Sequence, residues 1–318
     1  MNRPNNGTLR VVAGARNSRH RAVRANPVRL TGDMRAADGF RIIVMECAAH
    51  IAANIGAVRN GEREGVHQMR VGLRRMNVAL AMLKMMPGAP GVKRLRKRTR
   101  ALAAGLGQAR DLDVFVDEIL AGMPADDAAA LETLRVETDR LHRDAWAVAK
   151  MAVEDRALDA FLDEIAALAE ELSAPGQAKD RKALSQAAPD ALDRLLSRAR
   201  KRGRHIGNGD DRALHRLRIA LKKLRYAVEF FESLYPHKSG RRYLKRLKAM
   251  QDLLGRVNDA AAARATLKRV LDGADGDVAA LRYAAGLVTG FHDARADGLR
   301  AAALKEWGAF SERTPFWR

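Results

Sequence analysis

The sequence predicts an all-α protein built from two similar halves, and three observations carry that prediction. A basic segment is written twice: residues 66–111 and 214–259 align without a gap at an offset of 148 residues, with 11 identities over 46 positions. Within each copy the apolar residues recur at helical spacing. Aromatic residues make up only 5% of a chain rich in alanine, which favours helices packed through small side chains. A repeat of this length constrains the architecture before any single motif does.

The chain opens on 32 residues that hold seven Arg and no acid. Asn, Gly and Pro interrupt them, so the segment reads as a disordered basic tail with nonspecific affinity for anions. It lacks the apolar stretch of a secretory signal. No run of about 18 apolar residues, the length needed to span a membrane, is seen along the chain. From Asp33 to about Val58 an apolar helix carries Phe40, Ile43, Val44 and Ile51. Cys47, the single cysteine, excludes an internal disulfide and reads as a buried thiol in a reducing compartment. His50 reads as an ordinary, partly buried histidine. Glu62-Arg63-Glu64 superficially resembles the ExExK signature of triphosphate tunnel enzymes, but Val66 replaces the Lys and the segment opens a helix, so that reading is rejected.

Each copy of the repeat is two helices joined by a turn. At 100° per residue Met69, Leu73, Met76, Leu80 and Leu83 share one side of the first helix, as Leu217, Leu221, Leu224, Val228 and Phe231 do in its twin. The other side carries His67, Arg70 and Arg74, with Arg75 adjoining, and in the twin His215, Arg218, Lys222 and Arg225. Pro87, Gly88 and Pro90 end the first helix; Pro236 and Gly240 punctuate the second copy. The following helices place Lys93, Lys97 and Arg100, and Arg241, Lys245 and Lys248, at i, i+4 and i+7. A lone charged face is ordinarily solvated. Here, however, 11 Lys and Arg occur between Gly65 and Arg110 with no Asp or Glu. Like charges at i, i+4 repel by a few tenths of a kcal/mol, so four single-sign stripes call for an anion.

VHQMRVGLRRM at 66–76, LHRLRIALKKLRY at 214–226, LGQARDLDV at 106–114, LGRVNDAAA at 254–262 and the closing Pro315-Phe316-Trp317 resemble the conserved-histidine α-helical domain, or CHAD, family. The resemblance covers roughly residues 34–318. It implies two similar four-helix bundles around a basic central channel or cavity that binds inorganic polyphosphate. The 148-residue offset predicts that a pseudo-twofold axis relates the bundles, with both histidines on one inward basic surface. Two departures set the halves apart. Asn77 stands where the second copy has Arg225, and Gln251-Asp252 place an acid among the cations of the later helix.

Between Asp111 and Ser173 the sign reverses, with 17 acids against five Lys and Arg. Leu131, Leu134, Val148, Leu158, Phe161, Ile165 and Leu168 keep helical spacing there, so these read as outer helices that leave the positive potential to the hairpins. The first half is placed at 33–173, a linker containing Pro175, Gly176 and Pro189 at 174–190, and the second half at 191–318. The second half opens on a helix with Arg194, Arg198, Lys201 and Arg202 and closes on helices at about 260–272 and 277–311. Gly286 and Gly290 are expected at a close helix contact. Trp307, Phe310, Phe316 and Trp317 are expected to pin the C-terminus.

The charge, +20 overall and +13 without the tail, points to a polyanion. No Gly-rich phosphate loop and no Cys or His cluster at metal-ligand spacing is found, so neither cofactor, metal nor catalytic residue is expected. Asp111 and Asp259 are expected past the ends of their helices, capping or pairing with Arg. Single-strand binders interleave cations with stacking aromatics, and only Tyr226 lies near a basic face. The reading is noncatalytic binding of inorganic polyphosphate in the cytoplasm, at polyphosphate granules, through His67, Arg70, Arg74, Arg75, Lys93, Lys97, Arg100, His215, Arg218, Lys222, Arg225, Arg241, Lys245 and Lys248. Arg94, Arg98, Arg242 and Arg246 point off the stripes. Nucleic-acid binding and an enzyme or regulator of polyphosphate metabolism are the alternatives.

Overall fold

The computed structural model describes residues 21–84, 91–124, 127–174, 182–207, 209–274 and 277–318, with the backbone alone for His237. Among these the chain is all-α; the one extended pairing is an isolated bridge between Arg35 and Ala183. The helices are α1 Ala36–Ala53, α2 Ile55–Arg59, α3 Arg63–Leu83, α4 Val92–Gly105, α5 Gly107–Val114, α6 Ala128–Glu154, α7 Arg156–Ser173, α8 Leu184–Gly203, α9 Asp211–Phe231, α10 His237–Asp272 and α11 Val278–Ser311.

The repeat governs the centre of the fold. α3 and α9 are both 21 residues long, and the 148-residue offset carries one onto the other at both ends. Met69, Leu73, Met76, Leu80 and Leu83 on α3, and Leu217, Leu221, Leu224, Val228 and Phe231 on α9, are all buried. Burying each such side chain contributes roughly 1.5–3 kcal/mol, so the apolar stripe fixes which way the opposite, cationic stripe must face. α3 packs on α1, α4 and α9; α9 packs on α8 and α10. One large core runs through these helices, from Phe40 and Ile43 to Phe231 and Met250. A smaller one gathers Phe115, Leu131, Leu134, Leu267 and Leu281 between α6, α10 and α11.

The copies diverge after the turn. Gly91, in the left-handed region at φ 77°, caps α4. α4 then breaks at Leu106, restarts as α5 and passes into one π-helical turn, Phe115–Leu120. The equivalent residues of the second copy continue as the unbroken α10, which also absorbs the separate helix expected at 260–272. Asp111 and Asp259 therefore lie inside helices, not beyond them.

Several boundaries move. Residues 21–32, expected to be disordered, are held against the fold: Ala22 N–H donates to Glu62 (2.8 Å), Val23 N–H to Asn54 (2.9 Å), and Val28 and Leu30 are buried. The alternation of apolar residues there is too short to register as a helix, and its partners come from remote parts of the chain. Residues 1–20, Pro87, Gly88, Pro90, Pro175 and Gly176 lie outside the described residues. α8 begins at Leu184, seven residues before the expected start, with Pro189 inside it. A side chain added at Gly286 or Gly290 would meet open space, so neither glycine serves a close contact. Gly203 does: a Cβ there would lie 2.0 Å from Trp307.

The C-terminus is pinned by Trp317, whose Nε1–H donates to Asp193 at 2.9 Å, and by the ring of Tyr243 against Phe310, Phe316 and Trp317. Residues 36–59, at a mean hydropathy of 1.4, are by length and composition apolar enough to cross a membrane, although Asp38, Arg41 and Glu46 interrupt the apolar run. In this fold most of them are buried in the core, among them Phe40, Ile43, Val44, Cys47 and Ile51.

Candidate anion-binding site

The cationic faces of α3 and α9 meet across a cavity of ≈ 820 Å³ closed by α5, the π-turn and α10. Six of the expected residues line it: His67, Arg70, Arg74, His215, Arg218 and Lys222. Arg110, Arg212, Arg216 and Arg269 join them, so eight Lys and Arg face four acids: Asp111, Glu118, Asp211 and Asp259. Net charge is positive, but each acid has a local cation. Arg70 lies 3.7 Å from Asp111, and Arg110 lies 3.6 Å from Glu118. Asp211 is bound from behind by Arg264 and Arg300, each at 2.9 Å. Asp259 faces Arg218; burial and Glu118 push its carboxyl pKa up, and Arg218 opposes them.

The two histidines are equivalent in sequence and different in chemistry. His215 is exposed, with Nδ1 2.5 Å from Asn258 Oδ1. The first copy has Arg110 in place of Asn258. His67 therefore faces a guanidinium, and burial with Arg110 beside it holds its pKa below the usual value. Its Nδ1 is buried and makes no hydrogen bond among the described residues; the same is true of Nε in both Arg70 and Arg218. An unmade buried hydrogen bond costs roughly 1–3 kcal/mol, so these groups gain from an oxyanion.

Lys222 is the most perturbed cation. Burial, then Arg218, Arg74, Arg225 and Arg70, push its amine down to about 7. Arg70 and Arg218 are also lowered, first by burial. A group of cations that suppress one another's charge is relieved by a bound anion.

Not every expected residue reaches this cavity. Lys93, Lys97 and Arg100 line a second one, ≈ 550 Å³, with Arg96 and Lys84. Arg241, Lys245 and Lys248 are exposed on α10 and line neither. Arg75 and Arg225 line neither as well. Arg75 lies over the Phe230 ring and 3.1 Å from Glu229; Arg225 lies 3.5 Å from the same Glu229 and over Tyr226. The reason for Arg75 is angular: one residue past Arg74, it is turned 100° off the stripe into the α3–α9 contact. Glu229, four residues after Arg225, was the sequence signal for that pairing. Of the departures between copies, Gln251 is buried and donates to Leu221 O (2.8 Å), while Asp252 is exposed. Arg94 and Arg98 both bind Glu164, which holds α7 on α4.

Reasoning on stripes also missed a junction between the halves. Lys223 on α9 is depressed by burial and by Arg96, Arg198, Arg100 and Arg202, which belong to α4 and α8. The i, i+4 pair Arg198 and Arg202 was visible in sequence; its meeting with α4 was not.

A CHAD domain family matches residues 42–268. Among solved structures, the CHAD domain from the plant Ricinus communis is 30% identical, with a TM-score of 0.79, over 90% of this chain and 97% of that one. PptA from Streptomyces chartreusis shares the fold at 18% identity, TM-score 0.64, over 86% and 100% of the two chains. No curated protein matches this sequence. With its family motifs, its paired histidines and its helical frame all in register, the chain belongs to the CHAD family.

Proposed function

We propose that this protein binds inorganic polyphosphate without acting on it, in the cytoplasm and at polyphosphate granules, and that a pseudo-twofold axis relates its halves. The observation that carries the reading is the shared cavity: α3 and α9 bring Arg70, Arg74, Arg218 and Lys222 together with two histidines and three unmade hydrogen bonds. Arg forks two donors onto a phosphate and Lys supplies a point charge. Nucleic acid is disfavoured because no Phe, Tyr or Trp among the described residues lines the cavity, and Tyr226 is buried. An enzyme of polyphosphate metabolism is the second reading, favoured by the four acids in the cavity. Their engagement with Arg counts against a free general base or metal ligand.

The test is a titration of the full chain with long-chain polyphosphate, single-stranded DNA and RNA at about 0.15 M salt, followed by a phosphate-release assay with and without magnesium. Tight binding of polyphosphate alone, with no phosphate released, is the expected result. Equal binding of the three polymers refutes the preference, and phosphate release refutes the noncatalytic reading.

A further inference from the structure

Lys222 stands apart from the other cations of the cavity. It is half-buried on α9, one turn from Arg218, and Arg70 and Arg74 reach it from α3. It is the one lysine among the described residues that line the cavity, and no carboxylate among them pairs with it, whereas Asp111 lies by Arg70 and Glu118 by Arg110. A lysine desolvated beside other cations is the arrangement that turns an ammonium into a nucleophile. The guanidiniums around it are phosphate donors. A compound that carries an electrophilic carbon directly on a phosphate oxygen would seat the phosphate on the arginines and the carbon against the amine.

We propose that Lys222 is a self-modification site for acyl phosphates. The neutral Nζ attacks the carbonyl carbon and a carbon–nitrogen bond forms. The carbon–oxygen bond to phosphate breaks, orthophosphate leaves into the arginine cluster, and the surplus amine proton passes to solvent. The product is an Nε-acyl amide; no oxidant, reductant or second enzyme is needed. The reaction removes an amine that would take up a proton when a polyanion binds, so acyl phosphates would lower the cavity's affinity for any polyanion. This goes beyond polyphosphate binding and needs only that the cavity hold a phosphate.

The magnitude follows from protonation. An amine at about 7 is mostly neutral at pH 7.5, against about 0.1% for a free lysine at about 10.4. Its lower basicity, at a Brønsted slope of about 0.4–0.5 as for thiols, leaves a net advantage of about 10–25-fold.

The experiment incubates the full chain with acetyl phosphate at pH 7.5 and follows each lysine by peptide mass spectrometry, with and without pyrophosphate. Acetic anhydride, which carries no phosphate, is the comparison reagent. The expected result is acetylation of Lys222 at least about tenfold faster than of exposed Lys248, with pyrophosphate suppressing only Lys222. Acetic anhydride should show a smaller preference. Lys222→Arg should remove the fast site while leaving the acetylation rate of Lys248 unchanged. Reaction of Lys222 at the rate of Lys248, or a fast reaction that pyrophosphate leaves untouched, overturns the proposal. Polyphosphate binding measured in parallel separates the two readings: selective, pyrophosphate-sensitive acetylation without polyphosphate binding supports this site and removes the other.

Discussion

The double substitution Arg70→Ala with Arg218→Ala tests the cavity most directly, because the repeat makes the two residues equivalents. A charge-assisted hydrogen bond contributes roughly 1.5–3 kcal/mol, so two at the lower end amount to about 3 kcal/mol, or about a hundredfold in affinity. The structure trims that figure. Arg70 already holds Asp111 and donates to Ala103 O at 3.2 Å, and Arg218 faces Asp259, so part of each contact is spent before the ligand arrives. A loss of at least tenfold is the expected result. It would be read by calorimetric titration with long-chain polyphosphate, after melting curves have shown the variant folded. Arg246→Ala is the control, since Arg246 is exposed and lines neither cavity. Arg98→Ala is a poorer control, because Arg98 ties α4 to Glu164 and to Ala157 O. If Arg246→Ala weakens binding as much as the double substitution, affinity is diffuse surface electrostatics and the cavity argument fails.

Polyphosphate affinity should fall steeply and linearly on a log–log plot against salt, as counterion release requires; a flat response would point to a small neutral ligand. At pH 8 Lys222, pushed down to about 7 by burial and its arginine neighbours, is mostly unprotonated. Calorimetry in buffers of different ionisation enthalpy should register proton uptake on binding, absent in Lys222→Arg. In the free protein the same depressed pKa means the unfolded chain holds the extra proton between about 7 and the ordinary 10.5. This group therefore favours the fold more as pH rises through that window, and a melting temperature that falls because of Lys222 there would contradict the assignment. Glu229→Gln should cost about 1–3 kcal/mol of stability by freeing Arg75 and Arg225, with polyphosphate affinity unchanged. Gly203→Ala should lower the melting temperature by an amount equivalent to about 1–3 kcal/mol, because the added methyl overlaps the Trp307 ring.

The helical class, the register of α3 with α9, and the faces they turn inward were legible because an apolar stripe has one solution once it must be buried. His67, Arg70, Arg74, His215, Arg218 and Lys222 followed from that alone. Arg75 did not: one residue past Arg74 it stands 100° off the stripe, an offset the sequence already contained, and it turns to Glu229 and Phe230 instead. The stripes on α4 and α10 look alike in sequence and separate in space. α4 breaks at Leu106 while α10 runs on, although Leu-Gly stands at both places. Local sequence does not decide that difference; what each helix packs against does. The acids of the cavity were hidden for the same reason. Pairing of Asp111 and Asp259 with Arg was expected, but not their place: Asp111 sits on α5 beyond the break in α4, Asp259 within α10, and the folding back of those helices brings them beside Arg70 and Arg218.

Leu30 exchanges two hydrogen bonds with Ser233, across 203 residues of chain. A ribosome adding about 5–20 residues per second takes roughly 10–40 s to cover that distance. Ala22 and Val23 can bond Glu62 and Asn54 early, but throughout that interval Leu30 lacks the Ser233 hydroxyl that ties down its own N–H and carbonyl. The Leu30 end of the strap must wait until the end of α9 has been made, so its docking comes in the later part of synthesis. A fusion or truncation that crosses residues 21–32 would act on that step before it acted on the finished protein.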